Sequence, residues 1–257
     1  MPPPLSLTDP DARSMKRRDG GIVGYNVQTA VDAKNHLSVA HEVITEGIDR
    51  DQLTPMAEQA RAATGIDELT VVADRGYFKG EQILQSDQAG ITPIAPKTLT
   101  SNSLADGRFD KQDFIYIASD DEYRCPAGQR AINRFTTVEA GMTLDVYWSS
   151  ACPHCPIKAR CTTSPYRRIR RWKHEAVLEA MQLRLDRQPE MMRVRRQTVE
   201  HPFGTIKYWM GWTHFLTKTL ARVGTEMSLH VLAYNLKRVM RILGIGELMR
   251  AMSAWAA

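Results

Sequence analysis

The chain has 257 residues, 43% hydrophobic and 25% charged, which is ordinary for a soluble globular protein. That is enough to bury a sizeable core in one large domain, or in one domain carrying an insertion. The net charge of +5 is mild, so the position of the charge matters more than its total. "MPPPLSLTDPDARSMKRRDG" has no apolar core segment of a signal peptide, and no apolar run approaches the roughly 20 residues needed to span a membrane. The expected location is cytosolic, where disulfides are unusual.

The first twenty residues are proline-rich and charged and read as loop. "GIVGYNVQTAVDA" (21–33) and "HLSVAHEVI" (36–44) are rich in β-branched residues, and the polar "KN" between them predicts an antiparallel hairpin. "RDQLTPMAEQARAATG" has helical spacing at Leu53, Met56, Ala57, Ala60 and Ala63, with a stop at Gly65. "ELTVVAD" (68–74) reads as a buried strand, "FKGEQILQSDQAG" as a helix and "ITPIAP" (91–96) as a second strand. Hairpin, helix, strand, helix, strand predicts an α/β fold, a sheet with helices against it.

After Pro96 the texture changes. "TLTSNSLADGRFDKQ" is polar loop, and the segments up to "SSACPHCPIKARCTT" predict two short hairpins, a β-rich insertion over residues 97–165. Helical texture returns at Trp172, with breaks expected near Gly204, Gly211 and Gly224. This divides the chain into 1–96, 97–165 and 166–257. The last helix is expected to bury one broad apolar face: Met227, Leu229, Val231, Leu232, Tyr234, Leu236, Val239 and Leu243.

Cys125 in "YRCPAGQ" and Cys152, Cys155 and Cys161 in "ACPHCPIKARC" are four soft ligands, two of them a CxxC pair. Their number and turn context suit a tetrahedral structural zinc site, with His154 as a substitute ligand. Core cysteines without metal, or a redox pair, remain the alternatives, because Cys125 lacks a CxxC partner. A small insertion with little core would gain folding energy from such a metal.

From Lys158 to Arg196 basic residues dominate, and such a band suits a polyanion, nucleic acid above all. Within "RRQTVEHPFGTIKYW" (195–209) Glu200 is the only acidic residue. A surface ion pair is the plain explanation, and a metal-binding carboxylate framed by phosphate-binding cations the sharper one. At about 3.6 residues per turn, Arg196, Glu200 and Lys207 share one helical face. Pro202 predicts a kink or a new helix start nearby. Asp74 in "VVADRGYFKG" ends a strand, where ligands of open α/β sheets gather, although an aspartate before a helix is often only a cap. Gly76 supplies freedom for a sharp turn there.

"VVADRGY", then Arg196 and Glu200 as RxxxE, then "FGTIK" ending at Lys207, resembles the DDE transposases of bacterial insertion sequences. "GYNVQTAVDA", "HFLTKTLARVGTEMSLHVLAYNLKR" and the cysteine segment are similar to one branch of that family, over nearly the whole chain. The resemblance implies an RNase H-like mixed sheet flanked by helices, and three carboxylates on two Mg²⁺ (or Mn²⁺) ions. By position Asp74 matches the second carboxylate and Glu200 the third. Arg196 and Lys207 match residues that contact transposon-end DNA, with Arg75 and Arg193 beside them. Arg193 stands where the family signature has a tyrosine. DNA, as transposon ends and target, is the implied partner, a homodimer one candidate assembly and the bacterial nucleoid the implied location.

The family's first aspartate sits on a strand upstream of the hairpin, and no such strand is legible here. Asp9, Asp11 and Asp32 are expected in turns. The chain is therefore expected to be the C-terminal part of a transposase, lacking cleavage alone and folding poorly because sheet edges are left open. A DNA-binding remnant without catalysis is the competing expectation. An RNase H-like nuclease unrelated to transposition is the third.

Overall fold

The computed structural model describes residues 6–17, 20–98 and 103–255. They form a mixed α/β protein whose chain divides into two compact units, residues 1–97 with 180–257, and residues 98–179. The part of the expected polar loop at 99–102 lies outside the described residues.

The first unit opens with a hairpin where loop was expected: β1 (Arg13–Arg17) pairs antiparallel with β2 (Gly20–Gly24). Its anchor is Met15, which is buried and lies against Gly47, where a Cβ would come within 3.2 Å of the Met15 side chain. The predicted hairpin forms between β3 (Asn26–Val31) and β4 (Ser38–Ile44), but its first strand is shorter than the 21–33 expected, because residues 20–24 pair with β1 instead. Asp32 closes its turn by accepting the backbone N–H of Asn35 at 2.7 Å and of Lys34 at 3.2 Å.

In α1 (Leu53–Thr64), Leu53, Met56, Ala57 and Ala60 are buried at helical spacing, whereas Ala63 is exposed. Gly65 ends the helix at φ 66°, its N–H reaching the Arg61 carbonyl. Then β5 (Leu69–Val72), α2 (Gly80–Gln88) and β6 (Ile91–Ile94) make one parallel βαβ unit. β5 is only half-buried, not the fully buried strand expected. A polar clasp joins the two helices: the buried Thr54 hydroxyl donates to the Gln82 carbonyl at 2.9 Å and lies 3.0 Å from the fully buried Ser86 Oγ.

The β3–β4 and β5–β6 ladders are separate two-stranded sheets among the described residues. α1 packs on both, and so does α4 (Met191–Gly204). Pro202 lies inside α4 without ending it; the helix instead widens into a π turn over Thr205–Trp209.

Gly224 breaks nothing, because α5 runs unbroken over Leu220–Leu243. Its apolar residues form two stripes, not one face. Val223, Met227, Val231 and Tyr234 are buried against Val43 and Ile206, whereas Leu229, Leu232, Leu236 and Leu243 are exposed. At about 100° per residue the second stripe lies some 140–200° round the axis from Met227, on the opposite side. A last helix, α6, covers Ile245–Trp255.

α5 is capped from the far end of the sequence. Asp9 accepts the Tyr25 hydroxyl at 2.8 Å and the Thr219 N–H at 3.2 Å, and Asp11 accepts the Leu220 N–H at 2.9 Å. The two aspartates expected to cap only locally therefore also satisfy the first N–H groups of a helix some 210 residues away.

The second unit is a five-stranded antiparallel meander in the order β11-β10-β9-β8-β7. Its strands are β7 (Ile115–Ile117), β8 (Glu122–Arg124), β9 (Arg130–Glu139), β10 (Met142–Trp148) and β11 (Ile169–Trp172). The fifth strand lies beyond residue 165, where the expected insertion ends. Phe114, Tyr123, Ala131, Tyr147 and Ile169 make its core. The chain leaves this unit through α3 (Glu175–Arg187).

Candidate catalytic carboxylates and nucleic-acid interface

Asp74 stands two residues past β5, at the carboxyl end of the parallel pair. It is held extended, at φ −83° and ψ 178°, and its Oδ1 accepts the Gly76 N–H at 2.8 Å, capping a single 3₁₀ turn over Arg75–Tyr77. Its Oδ2 lies 2.8 Å from Arg195 Nη2. Gly76 matters for space rather than for dihedral freedom. A Cβ there would lie 2.9 Å from Asp74 Oδ1 and 3.4 Å from Asp49 Oδ2.

Two carboxylates thus face one another across Gly76, and the sequence reading missed Asp49. Asn26 and Gln28 each donate a side-chain amide to its Oδ1 at 2.7 Å. Gln28 is buried to 1% and also accepts the Tyr77 hydroxyl. The Tyr77 pKa is raised by burial and by the charges of Asp49 and Asp74, against a lowering by Arg195. The legible signal was two amides two apart on a strand, Asn26 and Gln28, which share a face.

Glu200 is fully on the surface of α4, and so are Arg193, Arg196 and Lys207. These three residues and Glu200 form no ion pair with one another or with any other described residue; Lys207 lies 5.8 Å over the Phe203 ring. Arg193, Arg196 and Glu200 fall about 100–160° round the helix from Arg195, the residue that meets Asp74. The structure therefore brings Asp74 to α4, but to a different face from the one carrying Glu200. Lys207 sits in the π turn, shifted round the axis from its position in a regular helix. Arg75 is exposed beside Asp74.

The rest of the basic band is largely committed inside its own unit. Arg171 is buried, stacks 3.6 Å over Tyr116 and pairs with Glu179 at 2.5 Å. Arg170 pairs with Glu139 at 3.3 Å, while Arg167 and Arg168 lie over Phe114 and Trp148. A continuous polyanion-binding band is not what these residues make. Lys173 and Arg187 of the band are exposed with no ion pair among the described residues, as are Arg193, Arg196 and Lys207 of α4 and its π turn.

The four cysteines form no disulfide and are all among the residues lining one cavity of about 30 Å³. They sit in tight turns: the Gly128 N–H meets the Cys125 carbonyl at 2.8 Å, and the Cys161 N–H meets that of Lys158 at 2.9 Å. Burial raises the Cys161 pKa, Arg167 lowers it, and the thiols of Cys152, Cys125 and Cys155 raise it further. His154 is exposed and does not line the cavity, which removes it as a substitute ligand. The donor set suits zinc, but among the described residues no three His, Cys, Asp or Glu groups are close enough to hold a metal ion, here or at Asp74.

A family model described as "Transposase DDE domain" matches residues 4–236. No curated protein and no solved structure matches the chain. Transposases act on DNA, and domains of this type use divalent metal ions. No helix among the described residues is long and apolar enough to cross a membrane. With that match spanning most of its length, the chain belongs to the DDE transposase family.

Proposed function

We propose that the chain serves DNA transposition through phosphodiester hydrolysis and strand transfer at transposon ends. Asp74 and Glu200 are its reaction-centre carboxylates, and Arg75, Arg193, Arg196 and Lys207 its contacts to DNA. The observation that carries this reading is the open face of α4. Glu200, Arg193 and Arg196 are exposed there, with Lys207 on the following π turn, and none is paired among the described residues. A solvated helix usually mixes signs to make pairs one turn apart. A face left unpaired suits ligands from outside, phosphates for the cations and a metal ion for the carboxylate.

Mg²⁺ or Mn²⁺, when bound, supplies stabilisation of the leaving oxygen and activation of water or a 3′-hydroxyl. As folded here, Asp74 is engaged by Gly76 and Arg195 and does not converge with Glu200 and a third ligand, so the residues present do not fit that ion pair. What the chain contributes by itself is positioning. Arg193, Arg196 and Lys207 neutralise backbone phosphates, and their contribution weakens with salt through counterion release. The four cysteines are read as a structural zinc site on their donor set alone; closed on the ion they would staple the turns around the small meander without taking part in the reaction.

Binding is the experiment that tests the DNA reading. Fluorescence anisotropy should show tighter binding to a duplex carrying the ends of the encoding element than to a scrambled duplex. Arg196→Gln with Lys207→Gln should weaken both. Equal binding to the two duplexes, or none to either, would overturn the proposal.

A further inference from the structure

A second cationic site lies away from the Glu200 face. Lys237, Arg238 and Arg241 on α5, with His201 and Thr205 from the α4 segment, line a cleft of about 310 Å³ beside the exposed indole of Trp209. No carboxylate lines it, and the sequence holds no Asp or Glu between Glu226 and Glu247. Lys237 and Arg241 are exposed and unpaired among the described residues. Arg238 is fixed by its Nε–H, which donates to the Asn35 carbonyl at 2.6 Å.

This arrangement is not explained by helix stability. Lys237 and Arg241 are like charges at i, i+4, which is unfavourable in a helix. The helix dipole favours cations only in the last turn, and so accounts for Arg241 but not for Lys237 and Arg238.

His201 is oriented toward the same cleft by a fixed hydrogen-bond chain. The Tyr234 hydroxyl donates to the His36 carbonyl, so His201 Nδ1, 2.9 Å from that hydroxyl, must be the donor to it. Nε2 is left facing the cleft, an acceptor in the neutral ring and a donor to an anion once protonated. Burial, Arg238, His36 and Arg241 lower the His201 pKa, and an anion among these groups would raise it again.

We propose that this cleft binds a backbone phosphate of DNA, as a contact separate from the one at Arg196 and Lys207. On α4, His201 lies about 100° further round the axis than Glu200, so the two sites grip different stretches of backbone. The inference rests on DNA being the partner.

The experiment measures duplex binding against salt for the full chain, for Lys237→Gln/Arg241→Gln and for Arg196→Gln/Lys207→Gln. Both pairs are exposed and glutamine is a good helix former, so folding should survive, as a thermal melt would verify. The cleft variant should bind about tenfold more weakly at moderate salt and reduce the slope of log K against log salt by about two. His201 imidazole NMR signals of the unsubstituted chain should shift on adding duplex. An unchanged slope in the cleft variant, with loss in the Arg196/Lys207 variant, would overturn the cleft and leave the DNA reading standing. His201 signals that respond to inorganic phosphate but not to duplex would mean a free-anion site and also overturn it. No DNA binding by any form would sink both.

Discussion

Asp74 and Arg195 pair across a 2.8 Å gap, while Glu200, little more than one turn further along the same helix, pairs with nothing among the described residues. The first carboxylate is tied to the fold and the second is left open. The pair is half-exposed, at 22% for the arginine and 41% for the aspartate, so solvent screens much of it. Arg195→Gln should therefore destabilise the chain by only about 1 kcal/mol, read from urea unfolding. A loss several times larger would mean that this contact organises the fold and is more than a tether for Asp74.

The cap on α5 should matter more. Asp9 is 8% exposed and receives Tyr25 and Thr219 besides the local Asp11 N–H. Burial alone would raise its pKa, but these hydrogen bonds outweigh burial and lower it. Asp9→Ala should cost about 2 kcal/mol and Asp11→Ala about 1 kcal/mol. Equal, negligible losses in urea would show that α5 does not depend on this capping.

Much of the first unit was legible because its periodicities are local. The β3–β4 hairpin, α1, α2 and the β5–β6 pair were expected from alternation, helical spacing and glycine stops. What was not legible depends on distance in sequence. The role of Asp9 needs Thr219, and the burial of Met15 needs Gly47. α5 was misread for a different reason. Leu229, Leu232 and Leu236 are apolar like the core residues, but their spacing puts them opposite Met227. Asp74 and Glu200 were visible as chemistry, whereas Asp49, held by two amides from β3, and the α5 cations were visible only once α4 and the sheets were placed.

Acid should destabilise the chain in two stages. Burial lowers the pKa values of His41 and His201 from the usual 6.5, with Arg238, His36 and Arg241 adding to the effect at His201. The unfolded chain then binds the extra protons, so stability is full above about pH 6.5 and falls as pH drops through the folded values. Asp9 and Glu226, both lowered, lose their contribution at more acid pH still. Urea midpoints at pH 8 and pH 5.5 test the first stage; a midpoint that does not fall would contradict it.

Zinc should be found with the purified chain at about one equivalent, and a chelator should lower the melting temperature of the meander unit. Less than about half an equivalent would count against metal at Cys125, Cys152, Cys155 and Cys161 and favour plain core cysteines.

The most direct measurement is nicking of an element-end duplex in Mg²⁺ or Mn²⁺ by the unsubstituted chain, Asp74→Asn and Glu200→Gln. Both substitutions keep size and remove only charge. As folded here Asp74 and Glu200 do not converge on a metal, so the predicted result is end-specific binding without nicking by the chain alone. Metal-dependent nicking by the unsubstituted chain would contradict that, and its survival in either variant would also contradict the assignment of these two carboxylates.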